Sequence, residues 1–163
     1  NFTHFRLNAN YTINPYKDFV LRLNGGGQYT LNNLLNSEQT SITGEQRLSG
    51  FTSGSISGDE SWYMRGQVNK NFKLSKNLTL SPYVYTAGGT VYLNQPTATE
   101  RTATTAKSVG IGLEVSGNDQ YFFEKNISAR VEYSKNWATA NIEDVSSVRL
   151  NREHLLVTMA MRF

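Results

Sequence analysis

The sequence predicts an all-β chain: seven antiparallel strands of a transmembrane β-barrel. Three observations predict it. A period of two runs along the chain and no long stretch follows the 3.6-residue period of a helix. The alternating stretches run about 12–16 residues, against roughly 5–6 in most globular strands, whereas a tilted spanning strand needs about 9–11 in hydrocarbon plus its extensions. On the apolar faces the aromatics gather at two levels. Tyr29, Trp62, Tyr92 and Trp137 fall at one end if neighbouring strands alternate in direction, and Phe19, Phe72 and Phe163 fall at the other. Tyr29 to Phe19 and Trp62 to Phe72 each span about ten residues, roughly 25 Å of height at the usual rise and tilt, which is the apolar band between two aromatic girdles.

Strands are expected at roughly 2–13, 18–31, 60–72, 78–93, 103–116, 126–140 and 149–163. The first sets Phe5, Leu7, Ala9, Tyr11 and Ile13 against Arg6, Asn8, Asn10 and Thr12. The sixth sets Ile127, Ala129, Val131, Tyr133 and Trp137 against Ser128, Arg130, Glu132, Ser134 and Asn136. The last sets Leu155, Val157, Met159, Met161 and Phe163 against His154, Leu156, Thr158, Ala160 and Arg162. Lys70 beside Phe72 and Lys135 beside Trp137 interrupt apolar faces only where a long side chain can snorkel to headgroups. Between strands lie Asn14-Pro15, Gly117-Asn118-Asp119 and similar turn-forming clusters. Links at 14–17 and 73–77 are short, that at 117–125 is intermediate, and those at 32–59, 94–102 and 141–148 are longer. Short periplasmic turns and long outer loops place Phe163 at the periplasmic end. The terminal run Val157, Met159, Met161, Phe163 then reads as a signal for the barrel assembly machinery.

Composition agrees. With 38% hydrophobic and 18% charged residues, nine Tyr, eight Phe and two Trp, the chain has too many aromatics for a segment that never packs. No run approaches the ~20 apolar residues of a spanning helix. The chain lacks cysteine, so it has no disulfide frame and no thiolate metal site. A net charge of +3 is scattered rather than clustered, which speaks against nucleic acid. The alternation is already running at Phe5 and Asn1 is no initiator Met, so residues 1–163 are expected to be a single-domain piece of something longer.

Catalysis needs a nucleophile or an acid–base pair with a partner. The two histidines, His4 and His154, have no G-x-S-x-G elbow to serve. Glu114, Arg130 and Glu132 read as salt bridges on the polar face. Asp18, Asp59 and Glu60 lack calcium-loop spacing, and Gly25-Gly26-Gly27 precedes no helix. No enzyme, cofactor or metal is expected; the glycine triplet reads as a kink where a loop packs on the wall.

The long link reads Gly44-Glu45-Gln46-Arg47-Leu48-Ser49-Gly50-Phe51, and after Gly54 comes Ile56-Ser57-Gly58-Asp59. Downstream stands Tyr83-Val84-Tyr85-Thr86-Ala87-Gly88-Gly89, then Ser108-Val109-Gly110-Ile111-Gly112-Leu113. In order and spacing these segments resemble the Omp85 superfamily, and within it the two-partner secretion transporters of hemolysin-activator (TpsB) type. The family's sixth loop carries V/L-R-G-F/Y and a Gly-Asp segment, and a later strand carries F-x-D-x-G. The resemblance implies the C-terminal seven strands of a sixteen-stranded barrel behind periplasmic POTRA domains. It implies that loop 32–59 folds into the lumen, with Arg47, Leu48, Ser49, Gly50 and Phe51 meeting a wall at Tyr85, Ala87 and Gly89. Two positions depart from the pattern: the loop arginine is expected at Ser49 and its aspartate at Ala87. Arg47 is then expected to substitute, toward Glu114 or Glu132.

The function implied is passage of an unfolded secreted polypeptide through a bacterial outer-membrane pore, in contact with membrane lipid. Arg65, Glu114, Arg130, Glu132 and His154 would line the lumen. An L-S-G-F loop is also similar to barrel anchors of patatin-like phospholipases. If an eighth strand hides in 32–57, a small eight-stranded porin-like or adhesin-like barrel is expected instead. A soluble β-sandwich would show the same alternation.

Overall fold

The structure, a computed structural model, describes residues 4–30, 38–94, 101–119, 125–142 and 145–162. Ten strands are present: β1 (His4–Tyr16), β2 (Phe19–Thr30), β3 (Thr40–Ser41), β4 (Ser57–Gly58), β5 (Glu60–Lys70), β6 (Phe72–Lys73), β7 (Leu78–Tyr92), β8 (Arg101–Asp119), β9 (Lys125–Ile142) and β10 (Val145–Arg162). Seven are long, and they form one antiparallel meander in the order β1-β2-β5-β7-β8-β9-β10, with the short β6 continuing β5 along β7. No helix occurs among the described residues. The described part of loop 32–59 holds only the two-residue ribbon β3–β4, not an eighth long strand. Phe163 lies outside the described residues.

Local chemistry sets the strand ends and breaks. Lys17-Asp18 closes the first hairpin, with Asp18 at φ 64, a left-handed position that aspartate tolerates better than most residues. The β1–β2 register shifts between Ile13 and Tyr16, where Pro15 brings no N–H to the ladder. The interruption between β5 and β6 lies opposite Pro82 of β7, for the same reason.

Alternation gives the sheet two unlike faces. One exposes Val84, Val131, Val157 and Met159, together with Tyr29, Trp62 and Tyr92 near one end and Phe72 near the other; Leu80 is half-buried. Lys70 places its ammonium 5.4 Å from the Phe19 ring centre and 5.0 Å from that of Phe72, and Lys135 lies 5.9 Å from Trp137. These are the snorkelling pairs that the sequence pattern requires. The other face buries Arg65, Gln67, Asn69, Glu132, Ser134 and Asn136 beneath the loop. Nothing among the described residues covers the apolar face, so the second layer of a sandwich is missing there; the buried apolar cluster lies on the other face, where Ile42 and Leu48 of the loop meet Tyr63, Tyr83, Tyr85, Ala87 and Val91.

Three tyrosines on the polar face lie across glycines of the next strand. Tyr63 opposes Gly26, Tyr83 opposes Gly112 and Tyr85 opposes Gly110. A Cβ on Gly110 would stand 2.5 Å from the Tyr85 ring, one on Gly26 2.9 Å from the Tyr63 ring, and one on Gly112 inside the Tyr83 ring. Glycine thus lets each ring lie flat on the sheet and carry its hydroxyl toward the strand beyond. Gly112→Ala is expected to lift Tyr83 and cost about 1–3 kcal/mol, as overpacking does. Gly66→Ala should be neutral, because its Cβ meets only Leu23 at an ordinary 3.5 Å. Urea titration of the folded, heat-modifiable form measures both.

Candidate functional site

The loop between β2 and β5 is a folded unit of its own. Ile42 N–H donates to the Ile56 carbonyl at 3.0 Å, Leu48 N–H to Ile42 at 3.2 Å, and Phe51 N–H to Leu48 at 3.3 Å. Ile42 and Leu48 are fully buried, with Phe51 and Ile56 packed against the same cluster. Its root is held at Gly58-Asp59. Asp59 N–H donates to the Tyr92 carbonyl at 2.9 Å, and the Asp59 carboxylate accepts the Asn94 N–H at 2.9 Å. Gln28 donates to the Asp59 carbonyl at 3.0 Å and the Glu38 carbonyl at 3.2 Å.

The loop's tip enters a buried ionic cluster. Arg65 of β5 and Glu132 of β9 pair at 3.2 Å, each with a side chain only 1% exposed. Ser49 of the loop sits between them: its hydroxyl accepts from Arg65 Nη1 at 2.6 Å and donates to Glu132 Oε1. Arg65 Nη1 also reaches the Arg47 carbonyl at 3.2 Å, and Nη2 reaches Gln67 Oε1 at 2.9 Å. The guanidinium carbon stands 3.7 Å from the centre of the Tyr85 ring. Glu132 Oε2 accepts from the Tyr83 hydroxyl at 2.7 Å and from Arg130, whose Nε donates to the same hydroxyl. Beside this, Tyr85, Ser108, Asn136 and Ser134 form a chain of hydrogen bonds of 3.0, 2.6 and 3.1 Å. The arrangement does not resemble a nucleophile with its base; it is a fully partnered latch that fixes the loop to β5 and β9. No group of metal-ligating side chains occurs among the described residues.

Parity suggests Arg47 as the partner of Glu114 or Glu132. Arg47 pairs with neither Glu114 nor Glu132. Its guanidinium turns back to the Ser41 carbonyl and lies 5.0 Å from the Tyr63 ring centre. Glu114 takes Arg22 at 3.6 Å. Gly50 stands against Asn136 of β9, where a Cβ would overlap the amide, while Ile42 and Leu48 of the loop share the buried cluster of Tyr85 and Ala87. Phe51 is half-buried. Ala87 and Gly89 lie on the loop-bearing face of β7, opposite Arg65 and Tyr63. His154 is half-buried on that face of β10; its carbonyl accepts from the Ser134 hydroxyl at 3.4 Å, and its Nδ1 is buried without a hydrogen-bond partner among the described residues. Tyr83, Ser108 and Asn136 enter the cluster without having been singled out by the sequence. Their signal was parity with Tyr85 and Glu132 and the glycines opposite the tyrosines.

A family model described as haemolysin secretion/activation protein ShlB/FhaC/HecB matches residues 1–117. The chain belongs to this family. No curated protein and no solved structure matches it. The matched segment of this ShlB/FhaC/HecB chain spans the loop with β1, β2, β5 and β7 and most of β8, whereas Glu132 and Asn136, which receive the loop, lie beyond it. Ser49 and Ala87, where the resemblance implies an arginine and an aspartate, both adjoin Arg65: one bonds to it and the other is its register partner.

Ser49→Ala is expected to cost about 1–3 kcal/mol, since it leaves buried donors and acceptors unsatisfied. Glu132→Gln should cost more, roughly 3–5 kcal/mol, because Arg65 keeps a buried charge without its partner. Arg47→Ala, which removes one bond to a backbone carbonyl and one ring contact, should fall well below both. Urea unfolding, with limited proteolysis of 44–58 as the reporter of loop release, ranks the three.

Proposed function

We propose that this ShlB/FhaC/HecB chain is the wall of an outer-membrane pore that passes an unfolded secreted polypeptide, and that loop 32–59 lies in its lumen as a brace. The observation that carries the reading is the Ser49 bridge across Arg65 and Glu132, on the face opposite the exposed apolar one. A loop rooted at one end of the sheet and bonded to β5 and β9 lies inside whatever the sheet encloses. Next to the latch, a polar cavity of ≈ 540 Å³ is lined by Asn10, Asn24, Arg22, Glu114 and Arg130. Such a lining hydrates an extended chain without offering an apolar patch on which it would stick.

Lipid provides no partner for an unpaired backbone group, so the sheet closes by pairing β1 and β10 with further strands. POTRA domains on the periplasmic side, and recognition of the last strand by the assembly machinery, belong to the same reading. Family membership favours it over a phospholipase anchor or a small porin.

Two measurements test it. Gly50→Leu, which drives a side chain into Asn136, should cut release of the secreted partner into the medium far more than it cuts the amount of assembled barrel. Unimpaired release with the loop displaced would sink the brace. Spin labels at Val84, Val131 and Val157 should be relaxed by oxygen, and labels at Asn10 and Asn24 by aqueous nickel; reversed accessibility overturns the orientation.

A further inference from the structure

The glycine triplet of β2 shapes the outward face as well as the inward one. Gly26 points to the loop-bearing side and lies under Tyr63, whereas Gly25 and Gly27 point outward. Across the ladder Gly27 stands between Leu7 of β1 and Trp62 of β5, and Gly25 between Ala9 and Met64. Two successive outward positions of β2 therefore carry no side chain, while Leu7 rises on one side and Trp62 and Met64 on the other. The result is an apolar groove of ≈ 780 Å³ with backbone for its floor, Leu7 and Trp62 as walls, and Tyr29 and Tyr92 at its head. Elsewhere outward glycines stand singly, Gly66 between Leu23 and Thr86 and Gly88 between Met64 and Lys107, and the row Val84, Ile111, Tyr133, Leu155 has a large side chain on every strand.

The two outward glycines are not equivalent. A Cβ on Gly27 would come within 2.7 Å of the Ser61 carbonyl, so the close approach of β2 and β5 excludes one. A Cβ on Gly25 would meet only the Tyr63 carbonyl at 3.5 Å, an ordinary contact. The sheet would accept a side chain at Gly25, and its absence serves the groove alone.

We propose that the groove holds a fatty acyl chain of an outer-membrane lipid. The inference rests on the reading above that this face lies in the bilayer. The groove opens directly onto the exposed apolar surface of Phe5, Leu7 and Met64, so it is continuous with that lipid contact. An empty channel there would forfeit the dispersion contacts of its lining, and an alkyl chain is thin and pliant enough to restore them. Glu60 stands at the groove's head beside the two tyrosines. A carboxylate repels a phosphate, while tyrosine hydroxyls suit the ester or hydroxyl groups at the root of an acyl chain, so the chain and not the headgroup is what the site selects.

The full transporter in its native membrane, carrying p-benzoylphenylalanine in place of either Tyr29 or Tyr133, tests this. Both are exposed aromatic positions, the first at the groove and the second on the filled wall. After irradiation, lipid adducts measured by mass spectrometry should be several-fold more abundant at 29 than at 133, and Gly25→Leu should bring 29 down to the level of 133. Ala9→Leu, which fills the same groove from β1, should do likewise and serves if Gly25→Leu does not assemble. Equal adducts at both positions, or a yield at 29 unchanged by filling, overturns the groove. A chain-to-chain adduct at 29 overturns it in favour of a second copy. Lipid adducts at neither position overturn the membrane-facing reading itself.

Discussion

The ion pair between Arg65 and Glu132 is the interaction on which the rest of the polar face depends. Two charges removed from water cost several kcal/mol each, and their attraction offsets this only when the remaining lone pairs and protons are matched. Here they are. Glu132 receives Ser49, Arg65, Tyr83 and Arg130, and Arg65 serves Ser49, Gln67, Glu132 and the Arg47 carbonyl while lying on Tyr85. Two of these partners, Ser49 and the Arg47 carbonyl, belong to the loop. Lifting the loop would leave both wall residues short of a hydrogen bond in a site closed to water, so the loop is either latched or the cluster must rehydrate. A buried ionic network of this kind contributes a unique position more than it contributes net stability.

Curvature is what makes the pair possible. Arg65 and Glu132 stand on strands separated by β7 and β8, about 14 Å of sheet at the usual ~4.8 Å spacing. Arg22 likewise reaches Glu114 across β5 and β7. A flat sheet would hold these groups apart. The tyrosine–glycine pairs act in the same space: each ring lies along the sheet rather than rising from it, which leaves room for the loop above and delivers a hydroxyl sideways. Tyr83 carries its own to Glu132 and Tyr85 to Ser108, each beyond the neighbouring strand or on its far flank.

The two faces thus solve different problems with one alternation. The outward face needs no partner within the chain, and its exposed Val157 and Met159 and its aromatic levels are what a hydrocarbon solvent demands. The inward face is polar, hydrogen-bonded and occupied by a folded loop. For a member of a secretion family, this divides the labour between holding the wall in the membrane and shaping what the wall encloses.

Seven long strands, their order and the face of every residue were determined by the sequence alone, because a period of two assigns Arg130, Glu132 and Ser134 to one side and Val131 and Tyr133 to the other whatever the neighbours are. The strand ends moved by a few residues; Pro15, for one, interrupts pairing without ending β1. The loop was legible as a motif, 47–51 followed by Gly58-Asp59. What the motif binds was not. Parity tells which side a charge is on, but neither how far along the curve its partner stands nor which rotamer it takes. Spacing pointed to Arg47, and only the folded loop, which turns the Arg47 side chain back to Ser41 and leaves its carbonyl facing inward, gave Glu132 to Arg65. The seat of Gly50 against Asn136 was hidden for the same reason: it joins a loop residue to a strand that it reaches only because the sheet bends and the loop folds in upon it.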